Sequence, residues 1–340
     1  MLTNRSLRQR HLVAWLTKHI VWLLIFNGII AALYAYDLLA ISIPWLPVSV
    51  IGTAVAFFVG FKNNQAYDRL WEARKIWSGI KNNSRTWGMM VMGFVCPFDS
   101  ESHKHISEVR KQLIYRHIAW IYAHRKQLLE PMAWERASSK SYEGRRAKKF
   151  DRKFGLGTVK DVSIDDLTQF ISAEELQQMK GYKNMTTQLI NEQSLELTKL
   201  KDQGYFDDFR HMELVKLLQL FYTLQGQNER IKKFPLPRGY SYMSNLIVVL
   251  FTFLIPFSLI PELMKLGHWA LWLSIPISTL VGLVFIIMED LGDYNESPFM
   301  GTPNSTPMLS LCRTIENDLR EMLGEKDLPP SINDVGGVLM

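Results

Sequence analysis

The chain has 340 residues, 47% of them apolar, with 39 basic against 33 acidic side chains and a formal charge of +6. Such length and apolar content suffice for a sizeable core, which excludes a marginal or disordered peptide. Mean hydropathy is -0.03, a soluble-looking average that conceals apolar tracts at both ends and a polar middle from about Lys62 to Arg238.

Four runs free of Asp, Glu, Lys and Arg, at residues 19–36, 38–61, 241–261 and 266–288, approach or exceed the roughly 20 residues that cross a hydrocarbon core. They predict four membrane helices. No small-residue cleavage site precedes Asp37, so the first run is expected to stay as a span. Basic residues crowd three flanks: Arg5, Arg8, Arg10 and Lys18; Lys62, Arg69, Arg74 and Lys75; Arg230, Lys232, Lys233 and Arg238. The loops at 36–47 and 262–268 carry only Lys265. The positive-inside rule then places both termini in the cytoplasm, for a multi-pass protein of the cell inner membrane. The net charge reflects this topology, and no nucleic-acid partner is expected.

In the second run Thr53, Phe57 and Phe61 recur at i, i+4 and i+8, so they share one helix face and can line a narrow path if several copies surround it. The run passes without a turn signal into residues 62–95, whose apolar positions Ile76, Ile80, Trp87, Met90 and Val91 are helically spaced; one long helix and two joined at a kink are both compatible with this. Pro97 and Ser100 mark a break. Residues 105–130 predict a second amphipathic helix ending at Pro131, and residues 167–200 and 209–231 resume the helical periodicity, the latter stopped by Pro235 and Pro237. The basic stretch 145–153 is a solvated segment to which no function is assigned. Pro256 and Pro276 fall inside the third and fourth spans, where kinks are expected. The fold class is therefore all-α, a four-span membrane protein with a large helical cytosolic region. Its parts are residues 1–61 with spans one and two, 62–240 in the cytosol, 241–288 with spans three and four, and a cytosolic segment 289–340.

No phosphate loop, paired-cysteine motif or nucleophile elbow is present, so an enzyme is not expected. Cys96 and Cys312 both lie on the predicted cytosolic side, where no disulfide forms. His105 and Glu108 read as a surface pair, and the acidic tract 289–296 lacks calcium-loop spacing, so neither a metal nor a cofactor is assigned.

Three blocks carry a resemblance to the bestrophin family, particularly its bacterial branch. The first includes Gly60, Phe61, Tyr67, Arg69, Trp71, Glu72, Arg74 and Trp77; the second Gln225, Gly226, Glu229, Arg230, Ile231, Pro235, Pro237 and Tyr240; the third Pro298 and Phe299, then Leu311 to Glu316. Residues 98–200 match weakly. The resemblance implies a homopentamer in a lipid bilayer that passes small ions through one central pore, with Thr53, Phe57 and Phe61 as its neck. Thr53 stands where the family's outermost neck residue is usually apolar. The resemblance also points to Phe209 as a cytoplasmic constriction. The segment after Phe299 lacks the acidic run with which animal bestrophins bind calcium, so calcium activation is not expected. Lys62 favours anions near the neck, whereas Asp207 and Asp208 beside the exit favour cations; chloride or another small anion is preferred. A monovalent-cation channel of the same fold is the alternative, and a membrane scaffold or sensor without conduction a second.

Overall fold

The computed structural model describes residues 9–96, 105–132, 135, 164–301, 304–334 and 339, with side chains from residue 16 onward. Pro97, Ser100 and the basic stretch 145–153 lie outside the described residues. Among the described residues the structure is helical without a strand. The chain divides into two compact units: Asn4–Arg69 with Pro235–Ser297, and Leu70–Phe234 with Pro298–Met340.

The first unit holds α1 (Gln9–Ala35), the opening of α2 (Trp45–Phe94), α7 (Arg238–Met264) and α8 (Ser274–Asn295). Four segments in it are long and apolar enough to cross a membrane, and apolar side chains such as Trp22, Ile25, Ile29, Val249, Phe253 and Leu280 stand exposed on them. Outward apolar faces are what a lipid solvent asks of a helix. Polar and small residues lie inside. Asn27 Nδ2 donates to Thr279 Oγ1 at 3.0 Å, and a Cβ on Gly282 would come within 2.9 Å of Thr252 Cγ2, so only glycine permits this approach of α8 to α7.

Two expectations are corrected here. The second span starts at Trp45 rather than residue 38, because Pro44 lies just before the helix and residues 38–44 have no regular structure, with Ile43 N donating to Phe257 O at 3.3 Å. Pro276 lies in the first turn of α8, after a 3-10 turn at His268–Leu273, where its missing N–H breaks no bond; it starts the helix and does not kink it. Pro256 and Pro261, in contrast, are interior to α7.

Helix α2 is one continuous helix of 50 residues, far more than a span requires. Its buried positions Val48, Gly52, Val55, Val59, Lys62, Ala66 and Leu70 step by three and four residues, the period of one helix face.

The second unit contains the rest of α2, α3 (Ile106–Leu129), α4 (Ala173–Lys180), α5 (Met185–Asp202), α6 (Asp208–Lys233) and α9 (Met308–Met322). The stretch 167–200, expected to be helical, is a 3-10 turn followed by α4 and α5. The breaks fall where Ser172 Oγ accepts from Glu175 N and Asn184 Oδ1 accepts from Thr187 N, two N-caps that begin new helices. Its core is continuous from α2 to α9, mostly aliphatic with Trp77, Trp87, Trp120 and Phe221 among its largest members. Trp120 Nε1 donates to Gln225 Oε1 at 3.1 Å, and the Trp120 and His124 rings stack at 5.8 Å. The first two family-like blocks meet here, where Arg230 Nη2 donates to Glu72 Oε1 at 2.5 Å, and the third is tied to α3 by Tyr122 Oη, which donates to Glu316 Oε2 at 2.6 Å.

Candidate functional site

Thr53, Phe57 and Phe61 stand on the face of α2 opposite the Val48, Val55 and Val59 ridge. All three are exposed, Phe57 at 66% and Phe61 at 61%. Thr53 Oγ1 donates to Ser49 O at 3.0 Å, which leaves its methyl and oxygen lone pairs outward. One and two turns beyond Phe61, the same face carries exposed Asn64 and Asp68. The stripe therefore runs from hydroxyl through two phenyl rings to amide and carboxylate, whereas a face against lipid tails stays apolar.

Phe209 is 82% exposed in the first turn of α6. The two acids before it are not free charges. Asp207 is the N-cap, accepting from Arg210 N at 2.8 Å and lying 3.6 Å from the Arg210 guanidinium. Asp208 meets Lys201 Nζ at 2.6 Å, and the hydrogen bond from that ammonium holds its carboxyl below the ordinary value. A carboxylate at a helix N-terminus is also what the helix dipole favours.

Lys62 departs from its expected place. It is 0% exposed and faces away from Phe61, bonded to Glu289 and lying 2.5 Å from Asp293 Oδ1. Adjacent residues of a helix diverge by about 100°, so an exposed Phe61 puts Lys62 on the buried side. A lysine matched by two carboxylates inside the protomer presents no cation to a neck, and its assignment to selectivity is withdrawn.

The same geometry accounts for the acidic tract at the end of α8. Asp290 lies 3.4 Å from His19, Ser244 Oγ donates to the other oxygen of Glu289 at 2.5 Å, and Glu296 accepts from Leu236 N at 3.2 Å beside Arg238. These acids hold the unit together. Among the described residues no group of three His, Cys, Asp or Glu side chains converges to hold a metal. His105 and Glu108 form an exposed pair at 3.3 Å.

Sequence reasoning missed the interior of α3. His117 and His124 are buried, His117 2.9 Å from Ser84 Oγ and His124 3.0 Å from Asn228 Nδ2. Burial pushes His117 down to about 3 and His124 to about 4, so both rings are neutral. Their place at i and i+7 on a helix flanked by apolar residues is the signal that marks them as interior. A cavity of about 360 Å³ lies beside Gln127, Asn184 and Glu229; of the charges that line it, Lys232 pairs with Glu135 at 2.8 Å and Lys233 with Glu229 at 2.7 Å.

Residues 4–321 match the family described as Bacterial/Fungal Bestrophin protein. The voltage-dependent anion channel-forming protein YneE of Escherichia coli is 24% identical over 333 residues, covering 94% of each chain. A voltage-dependent anion channel-forming protein of Ralstonia nicotianae is 25% identical over 306 residues, 87% of this chain and 84% of that one. The solved structure of a bacterial bestrophin homologue from Klebsiella pneumoniae superposes with a TM-score of 0.74 at 21% identity, covering 92% of this chain and 99% of the other. With a family match over nearly its whole length and that family's fold, the chain belongs to the bacterial and fungal bestrophins.

Proposed function

We propose that this protein is an anion channel of the inner membrane, a homopentamer whose copies surround one central path for chloride or another small anion, with both termini in the cytoplasm. The observation that carries the reading is the exposed stripe Thr53, Phe57, Phe61 on a membrane-crossing helix, which turns polar toward Asn64 and Asp68. One copy cannot enclose a path with a single face, so several must contribute it. The names of the Escherichia coli and Ralstonia relatives support an anion as the permeating species. So does the pairing of Asp207 and Asp208 with Arg210 and Lys201, which weakens the acidic rings that would have favoured monovalent cations. Phe57 and Phe61 act as apolar rings that resist wetting, and Phe209 forms a second constriction on the cytoplasmic side.

Purified protein in a planar bilayer under asymmetric potassium chloride should reverse near the chloride equilibrium potential. The double substitution Phe57→Ala and Phe61→Ala should raise conductance or open probability by removing the rings that hold back water. Reversal near the potassium potential would favour the cation channel, and unchanged conductance in the double variant would return the two phenyl groups to helix packing.

A further inference from the structure

We infer that Lys62, Glu289 and Asp293 are positioning residues for the neck: a buried ion pair flanked by a half-buried carboxylate that sets the rotation of α2 so that Phe57 and Phe61 face the path. The inference rests on the neck reading above. Behind the neck the apolar contacts of α2 are Val48, Val55 and Val59, with Phe251 seated over Gly52, where a Cβ would come within 2.8 Å of the ring; that close fit spans one turn, a helical step or more from the neck's inner end. The polar contacts are directional. Lys62 Nζ bonds Glu289 and lies 2.5 Å from Asp293 Oδ1, both on α8, with the lysine 0% exposed.

Two neighbours of the triad fix the same turn from other directions. Asn63 Nδ2 donates to Met288 O at 2.8 Å, and Tyr240 Oη donates to Phe58 O at 3.0 Å while its ring lies 4.4 Å from that of Phe58. Gly292 leaves room for this: a Cβ there would sit 3.2 Å from Asn63 Oδ1 and 3.5 Å from Lys62 Cγ. Positions 58, 62 and 63 are thus tied while 57 and 61 stand free. Turning α2 by one residue, about 100°, would bring Phe61 inward and leave the buried Glu289 and the half-buried Asp293 without their cation. Leaving a buried charge uncompensated is strongly unfavourable, which gives an ion cluster its power to select one register.

The test reads rotation directly. In full-length channels carrying Cys96→Ser and Cys312→Ala, Phe61→Cys and, separately, Ala56→Cys are treated with a water-soluble charged methanethiosulfonate while current is recorded. If the reagent leaves the current of F61C unchanged, the neck reading itself fails, whatever the triad does. Given modification of F61C, adding Glu289→Gln with Asp293→Asn should slow it several-fold and speed that of A56C, which the same turn carries to the exposed face, whereas Lys62→Arg should leave both rates near those of the parent. If the carboxylate variant does not assemble, the charge-free set Lys62→Met, Glu289→Gln and Asp293→Asn decides: the same exchange of reactivity supports positioning. Unchanged rates at both sites in an assembled charge-free channel overturn it, and so does failure of that set to assemble, which would make the triad a requirement of folding alone.

Discussion

In the membrane unit, on the side of α2 away from Phe57 and Phe61, the buried Lys62 meets the buried Glu289 and the half-buried Asp293, whereas the second unit, besides buried pairs such as Lys232 with Glu135, packs two neutral imidazoles, His117 and His124, among Trp77, Trp87, Trp120 and Phe221. The solvents differ in kind. Lipid tails are as apolar as a helix interior, so burying another apolar side chain there gains little, and directional polar contacts and close packing fix the arrangement. Around a unit bathed in water, moving a large ring inside is itself the driving force. The same chemical change therefore has a different consequence in each unit.

The largest expected effect tests that difference. Trp120 is buried, with its indole N–H satisfied by Gln225, so Trp120→Ala loses transfer energy, leaves a cavity and orphans an amide oxygen, about 3–5 kcal/mol in all. Phe251, equally buried in the membrane unit, should cost clearly less on truncation to Ala, because lipid replaces water in the comparison. Thermal unfolding in one detergent, followed by intrinsic fluorescence, orders the two variants. Equal losses would break the contrast.

A smaller effect comes from acid. Burial depresses His117 to about 3 and His124 to about 4, while the unfolded chain takes up protons on both rings near ~6.5. Between those values the unfolded state binds more protons than the folded one, so stability declines as pH falls from about 6.5 toward 4 and is insensitive to these groups above that range. The loss should reach a few kcal/mol near pH ~4.5, at up to 1.36 kcal/mol per pH unit for each ring. Replacing the pair by His117→Asn and His124→Gln lowers absolute stability but should flatten the acid limb of a stability profile; a slope as steep as the parent's would place its origin elsewhere.

The smallest effect sits at the exposed start of α6. Neutralising Asp207 and Asp208 with Asn releases Lys201 and Arg210 from their partners, which should move the reversal potential modestly toward anions, more at low salt than at high because these charges are solvated. A fixed reversal potential across ionic strengths would mean that Phe209 and its neighbours face away from the conducting path.

Much of this architecture is legible in the residues taken in order. The four apolar runs declare spans through the absence of charge, and Thr53, Phe57 and Phe61 share a face because helix geometry puts i, i+4 and i+8 together. Short-range signals are present in the sequence as well. Ser172, Asn184 and Asp207 each precede a helix they cap, and Pro276 is compatible with a first turn as well as with a kink. The i, i+4, i+7 and i+11 spacing of Met308, Cys312, Ile315 and Leu319 marks α9. These are local rules, readable once a helix start is considered.

The sequence by itself determined the helical class, the membrane spans and which face of α2 is available for a path, since each depends on neighbours within a few turns. Only the tertiary structure decided the fate of the charges. Lys62, adjacent to Phe61, reads as a basic residue of the neck until Glu289, 227 positions later, is brought against it. Asp208 reads as an open carboxylate until Lys201 arrives from the end of the preceding helix. The physical reason is that a charge acts through what surrounds it. Its partners and its solvent come from helices far apart in the chain, whereas periodicity along one helix travels with the chain itself.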